Sequence, residues 1–213
     1  MQEKNLQLER LVFFSDAVVA IAITLLALDI KIEHTTNGHI SWSDIRGQWP
    51  TFVAFLLSFI NIANFWKNHH SFFVHIKKID DKLLWFNIAW LFFIVLLPFS
   101  TSLVGSYFSD TPAIFIYSLN TLLITVFQNI IWDYASMQPD YIKAEETDEI
   151  TASHFRVYCN LDMLNALIAV GLSFWNPLLA FIMLLTKLPM VLAAGMLYRP
   201  KFKPERRRKK PGR

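Results

Sequence analysis

Near its N-terminus the chain reads Arg10-Leu-Val-Phe-Phe-Ser-Asp16-Ala-Val-Val-Ala-Ile-Ala-Ile-Thr-Leu-Leu-Ala-Leu28. This stretch is long and apolar enough to cross a lipid bilayer as one helix. Its first turns nevertheless hold an Arg, a Ser and an Asp, and charged groups within hydrocarbon are costly and usually functional. No small-residue cleavage site follows the stretch, so we expect it to be retained. It predicts a transmembrane helix that does more than anchor the chain.

The composition of the whole chain agrees with a membrane protein. Of the 213 residues, 54% are hydrophobic and 15% are aromatic, and the mean hydropathy is +0.36. Charged residues make up 17%, against roughly 25% in soluble domains. The lone Cys159 excludes a disulfide within the chain. We expect an all-α, multi-pass membrane protein with one transmembrane domain, residues 1–198, and a basic tail, residues 199–213.

Six apolar windows reach the length of a membrane span. They lie near 11–30, 49–66, 83–104, 112–132, 157–175 and 177–198. Pro98 predicts a kink in the third window, where a neighbouring helix must cover the freed carbonyl. Trp175-Asn176-Pro177 predicts a tight turn between the last two. We therefore expect six transmembrane helices per subunit.

The basic residues predict the orientation, because Lys and Arg concentrate in cytoplasmic loops. With the N-terminus inside, 17 of the 20 Lys and Arg residues are cytoplasmic, and only Lys31 and Arg46 lie outside. We expect both termini to lie in the cytoplasm. The tail segment 206–210 is expected to bind anionic lipid. Nucleic acid is not an expected partner, because no folded binding module surrounds this run.

The first helix has two different faces on a helical wheel of about 100° per residue. Ile21, Leu25 and Leu28 lie within about 60° of each other and form an aliphatic stripe. Arg10 and Phe14 lie on the same side of the helix. Thr24 lies at the border of this stripe. Ser15 and Asp16 lie on the opposite side of the helix, where they must meet a polar partner.

The second window offers that partner at its inner end, which reads Trp66-Lys-Asn-His69-His70. Asp16 and a His could share a hydrogen bond there, since a carboxylate at this depth must be paired or neutral. Three interpretations remain open: polar contacts that join helices, a proton relay through His, and a metal site. Adjacent His residues on one helix point about 100° apart, which disfavours chelation of one ion.

Lys187 is an ionisable residue inside the sixth window. It either extends toward the membrane surface or meets a polar group on another helix. Asp162 and Asn165 of the fifth window are possible partners, but we expect them to lie nearer the inner face than Lys187 does.

Three segments resemble one known family. The motif Arg10-x-x-x-Phe14-Ser15-Asp16, followed by Ala-Ile-Ala-Ile-Thr-Leu-Leu, closely resembles the first helix of the transmembrane protein 175 family. This family comprises the endolysosomal potassium channels and their bacterial relatives. Trp66-x-x-His69-His70 and the run 96–101, Leu-Leu-Pro-Phe-Ser-Thr, also fit. A single copy with six spans is similar to the bacterial branch, which implies a location in a bacterial cell membrane.

The resemblance implies a homotetramer in which the first helix of each subunit lines a central pore. It implies a constriction made by Ile21, Leu25 and Leu28, with Thr24 beside it contributing to potassium preference. It also implies that Arg10, Phe14, Ser15 and Asp16, together with Trp66, His69 and His70, form a packing network that holds the pore helix. Potassium is then the permeant ion, and no cofactor or bound metal is expected.

The residues alone lead to a compatible hypothesis. The six glycines do not form the loop that a carbonyl selectivity filter requires. If the chain conducts ions, helix side chains must select them, and several subunits must enclose the pore. Two other hypotheses remain: a proton- or ion-coupled transporter using Asp16, Asp162 and Lys187, and an intramembrane enzyme. The enzyme is disfavoured, because no His-Glu-x-x-His motif or paired nucleophile is present.

Overall fold

The computed structural model is helical throughout and describes residues 2–31, 39–138, 140–143 and 149–187. The helices are, in chain order, α1 (Gln2–Leu25), a 3₁₀ turn (Leu26–Asp29), α2 (Trp42–Gly47), α3 (Trp49–His75), α4 (Asp81–Ser106), α5 (Thr111–Ser136), α6 (Glu149–Ser173) and α7 (Pro177–Leu185). The predicted all-α class is confirmed. The short α2 is an addition that hydrophobicity did not predict, and a capping box between Ser41 and Asp44 begins it.

Five helical stretches are long and apolar enough to span a membrane: Leu6–Leu28, Trp49–His75, Asp81–Ser106, Thr111–Ser136 and Phe155–Ser173. They match the first five predicted windows. The second span is longer than predicted, because its helix continues through the polar residues after Trp66. Of the sixth window, residues 177–187 are described and begin with α7, while the remainder and the basic tail lie outside the described residues.

The helices pack in an order that leaves α1 at one side. α4 packs against α3 and α5, α5 packs against α6, and α6 and α7 form a hairpin. α1 packs against α4 and α3. Gly105 allows a close approach of α4 to α3, since a Cβ there would lie 3.3 Å from the Thr51 backbone. The motif helix therefore presents one side to the bundle and one side to its surroundings.

Pro98 lies inside α4, where the helix continues to Ser106. A proline removes one backbone donor and leaves the carbonyl four residues earlier without its partner. Asn120 of α5 donates to the carbonyl of Phe93 at 3.2 Å, one residue before that position. Asn120 thus binds the α4 backbone beside the proline, while the predicted contact to the freed carbonyl itself stays a prediction.

A polar clasp around Asp80 joins the α3–α4 turn to Tyr134 at the end of α5 and to Tyr141 in the segment after it. Asp80 accepts from the Leu83 N–H at 2.9 Å as the N-cap of α4, and from the Tyr134 hydroxyl at 2.5 Å. Burial alone would raise the pKa of the Asp80 carboxyl. Hydrogen bonds from Tyr134, Leu83 and Tyr141 outweigh burial and hold its pKa below the ordinary value.

Candidate pore helix and its supporting network

The two faces of α1 differ in burial as the helical wheel predicts. Ser15 is fully buried against the bundle, and Val19 and Ala22 lie on the same side. On the other side, 60% of Ile21 and 38% of Leu25 remain exposed in the single chain, and Leu28, in the 3₁₀ turn that continues α1, is 67% exposed. An aliphatic stripe on the motif helix is therefore free to meet another subunit or to line a pore.

Ser15 is held by a chain of buried hydrogen bonds that crosses three helices. The Asn87 side chain of α4 donates to the Ser15 hydroxyl oxygen at 2.9 Å, and Ser15 donates to the Leu11 carbonyl at 2.9 Å. The Asn87 oxygen lies 2.7 Å from His69 Nε2. The His69 ring stacks on Trp90, with 4.4 Å between ring centroids. Buried polar groups joined in this way fix the rotation of α1 against α3 and α4.

Asp16 is bound by a tryptophan and not by a histidine. Trp66 Nε1–H donates to Asp16 Oδ1 at 2.8 Å, and His70 stacks on the Trp66 ring at 5.6 Å. The hydrogen bond between Asp16 and a His, which the sequence suggested, is therefore replaced by one from Trp66. The physical reason is that His69 points toward Asn87, while Trp66, one turn earlier on α3, reaches the carboxylate. These contacts favour the packing interpretation over a proton relay or a metal site.

Arg10 and Phe14 lie apart from this network. Both are exposed on the same side of α1 as Ile21. Together with Asp80 and Asp81 at the start of α4, they line an open groove between α1 and α4. Of the seven motif residues, the single chain thus joins Ser15 and Asp16 to Trp66, His69 and His70, and leaves Arg10 and Phe14 at the surface.

Thr24 is exposed and donates its hydroxyl proton to its own helix. The acceptor is the Ile21 carbonyl, at 2.8 Å, and not the Ala20 carbonyl one residue earlier, which is the other common acceptor for Thr. Because the proton is used within the helix, only the acceptor capacity of the hydroxyl oxygen remains.

Lys187 and Asp162 form a buried ion pair that the sequence predicted only in part. Lys187 Nζ lies 3.2 Å from Asp162 Oδ2, and each side chain is 2% exposed. The prediction that Asp162 lies nearer the inner face than Lys187 is therefore wrong. Lys187 follows Trp175 by 12 residues and Asp162 precedes it by 13, so the antiparallel hairpin of α6 and α7 places them at the same level. Asn165 instead donates to the Met183 carbonyl and the Thr186 hydroxyl, both at 3.1 Å.

A further polar cluster between α3, α4 and α5 was not predicted. The Tyr117 hydroxyl lies 3.0 Å from Ser58 Oγ and accepts from the Asn61 amide at 3.1 Å. Thr101 donates to Ser58 at 2.7 Å. Ser58 and Asn61, at helical spacing in an apolar span, were the available signal. Among the residues described here, no group of three His, Cys, Asp or Glu side chains could hold a metal ion.

Asp16→Leu is expected to destabilise the protein by about 1–3 kcal/mol, because Trp66 Nε1–H loses its acceptor. Asp16→Asn retains an acceptor oxygen and should lose less. Thermal unfolding in detergent, with size-exclusion chromatography of the oligomer, measures both. Trp66→Phe added to Asp16→Leu should cost little more, since the bond is already absent. Equal losses for Asp16→Asn and Asp16→Leu would show that the charge matters and the hydrogen bond does not.

The long apolar helices define a multi-pass helical membrane protein. The family model described as endosomal/lysosomal potassium channel TMEM175 matches residues 10–98. A protein of Streptomyces collinus described as a potassium channel is 30% identical over 165 residues, which cover 76% of this chain and 80% of the relative. The chain belongs to the TMEM175 family. Membership places it among ion channels and not among enzymes.

Two further similarities agree. A potassium channel of a Chryseobacterium species is 34% identical over 127 residues, which cover 57% of this chain and 64% of the relative's length. The crystal structure of a lysosomal potassium-selective channel TMEM175 homolog from Chamaesiphon minutus aligns with a TM-score of 0.77 and 28% identity. That alignment covers 88% of this chain and 98% of the other.

Proposed function

We propose that this protein is a potassium-selective ion channel in which α1 lines the pore and supplies a hydrophobic constriction. The observation that carries the proposal is the exposed stripe of Ile21, Leu25 and Leu28 on a helix whose opposite side is anchored by Ser15 and Asp16. The names of the bacterial relatives support the same function.

The proposed channel is a homotetramer with six transmembrane helices per subunit. One α1 cannot enclose a pore, and cyclic symmetry is the usual way to repeat it around an axis. The exposed stripe supports this arrangement, because it gives each subunit an apolar surface that the described residues of its own chain leave largely uncovered. Arg10 and Phe14 lie on the same exposed side and meet neighbouring subunits in this proposal.

The gate is a ring of aliphatic side chains, one set from each subunit. Narrow apolar rings exclude water and so block ions until they widen. The proposal needs no carbonyl filter, and among the described residues the glycines Gly47, Gly105 and Gly171 all lie within helices. Ile21, Leu25 and Leu28 supply the constriction, and Thr24 supplies the nearest side-chain oxygen.

Both termini are proposed to face the cytoplasm of a bacterial cell, with residues 1–198 forming the channel domain. The distribution of Lys and Arg supports this orientation. The basic tail, residues 199–213, is proposed to bind anionic lipids of the inner leaflet.

Thr24→Val is expected to reduce the preference for potassium over sodium while leaving the fold intact. Valine keeps the shape of threonine but removes the oxygen that can replace part of a hydration shell. Potassium is the more weakly hydrated ion and so gains more from such a ligand. The reversal potential under bi-ionic potassium and sodium should move toward zero. An unchanged potential in a conducting variant would assign selectivity to the aliphatic ring alone.

The test of the proposed function is reconstitution into a planar bilayer with asymmetric potassium and sodium. Unitary currents that reverse near the potassium equilibrium potential are expected. The second candidate, a proton- or ion-coupled transporter, is favoured by one observation, the buried charges of Asp162 and Lys187. A saturable flux without unitary currents would support the transporter and contradict the channel.

A further inference from the structure

α3 lies between the buried ion pair and the motif helix. Its three consecutive residues Asn64, Phe65 and Trp66 contact different partners. Asn64 and Phe65 contact the ion pair of α6 and α7, and Trp66 contacts Asp16 of α1. Asn64 and Trp66 point about 200° apart around α3 and differ by only about 3 Å along its axis. The ion pair and Asp16 therefore meet α3 at one level, on opposite sides.

The contacts on the ion-pair side are specific and buried. Asp162 Oδ2 accepts from the Asn64 amide at 3.4 Å, and Asn64 Oδ1 accepts from the Tyr158 hydroxyl at 3.0 Å. Lys187 Nζ lies 4.1 Å from the centroid of the Phe65 ring, which is a favourable distance for a cation–π contact. The pair thus contacts α3 through both of its members.

The contacts on the opposite side lead to α1. Trp66 donates to Asp16, and His69, one turn later, reaches Ser15 through Asn87. These are the bonds that fix the rotation of α1 and so the direction in which Ile21 points. A shift of α3 would move the attachment point at Asp16 directly, and would act on Ser15 only through Asn87 of α4.

We propose that the Asp162–Lys187 ion pair is a positioning element for ion conduction: it holds α3 in place and, through Trp66 and Asp16, holds the pore helix. This inference rests on the proposed pore function of α1. Asp162 and Lys187 contact neither the stripe nor a permeating ion. Their effect on the current is transmitted through α3. This transmission requires the contacts of α3 with the ion pair and the contact of Trp66 with Asp16.

The probe is Asp162→Leu/Lys187→Met, which removes both charges. Replacing a buried ion pair by apolar residues of similar volume is often neutral for stability, so the variant is expected to assemble. The matched control is Asp133→Leu/Arg156→Met, a pair 3.1 Å apart on α5 and α6 whose side chains are half-exposed. We expect the resting potassium current to rise roughly 2- to 30-fold in the probe, because α1 holds the constriction less firmly. The control should stay close to wild type.

Two further variants test the route through α3. Trp66→Phe removes the bond to Asp16, so adding Asp162→Leu/Lys187→Met to it should change the current little more. Asn64→Leu removes the hydrogen bond to Asp162 from the α3 side and is expected to raise the current as the probe does. It therefore tests the inference even if the probe does not assemble. Lys187→Arg keeps the charge pair and should conduct like wild type.

An assembled probe with an unchanged or reduced current would overturn the inference. So would an equal rise in the control, or a full effect of the probe in the Trp66→Phe background. The wild-type current and its response to changes at Ile21 test the proposed function separately. A wild-type protein without current would contradict the channel, while a conducting protein indifferent to the pair would contradict only this inference.

Discussion

Replacing Ile21 with asparagine is expected to raise the resting potassium current by about tenfold or more, which corresponds to a barrier lower by ~1.4 kcal/mol. Ile21 is 60% exposed on the side of α1 opposite Ser15, so each subunit of a closed ring contributes one such side chain. An amide in this ring binds water, and a wet constriction no longer excludes ions. The measurement is the single-channel and macroscopic current of the purified protein in a planar bilayer.

The matched control for this change is Ile21→Val. Valine keeps an apolar ring with one methylene fewer, so the constriction should stay dry and the current should stay near that of wild type. Leu25→Asn should have a smaller effect, because Leu25 is only 38% exposed and is partly covered by its own chain. Equal currents in Ile21→Asn and wild type, at equal protein amounts, would place the gate elsewhere.

Lys187→Met is expected to destabilise the protein by about 3–5 kcal/mol, since removing one partner leaves a buried charge uncompensated. Asp162 is 2% exposed and has one other hydrogen bond, from Asn64, which is too little to replace an ammonium group. The free energy of unfolding in detergent, from denaturant or thermal titration, measures the loss.

Two comparisons separate the charge from the packing. Asp162→Leu/Lys187→Met should recover most of the stability, because no buried charge remains. Arg156→Met breaks the half-exposed pair with Asp133 and should cost about 1 kcal/mol or less. If Lys187→Met were no more harmful than Arg156→Met, the ion pair would have no structural importance.

The faces of α1 could be predicted from the sequence because helical periodicity alone determines them. The wheel placed Ser15 opposite Ile21, and burial places them so. The partner of Asp16 could not be predicted in the same way. His69, His70 and Trp66 all lie within one turn or so of α3, and the choice among them depends on the rotation of α3 against α1. Asn87 is part of the same network, but it is a lone amide in an apolar span that no motif marks.

The depth of Lys187 was predictable in principle and was still missed. The turn at Trp175-Asn176-Pro177 fixes which residues of α6 and α7 lie side by side, so counting from the turn is enough. The clasp around Asp80 was beyond prediction, since Tyr134 and Tyr141 reach it from a different part of the chain. Contacts within one helix or one helical hairpin can be predicted by counting residues. Contacts between helices that are distant in the sequence cannot.

The ion pair between α6 and α7 has a consequence for biosynthesis. Asp162 leaves the ribosome 25 residues before Lys187, an interval of about 1–5 s at ordinary rates of translation. During that interval the carboxylate enters the membrane, or waits at its surface, without its counter-charge. α6 is thus expected to complete its insertion only when α7 follows. A nascent chain that stops short of Lys187 would expose an unmatched acid to the quality-control proteases of the cell.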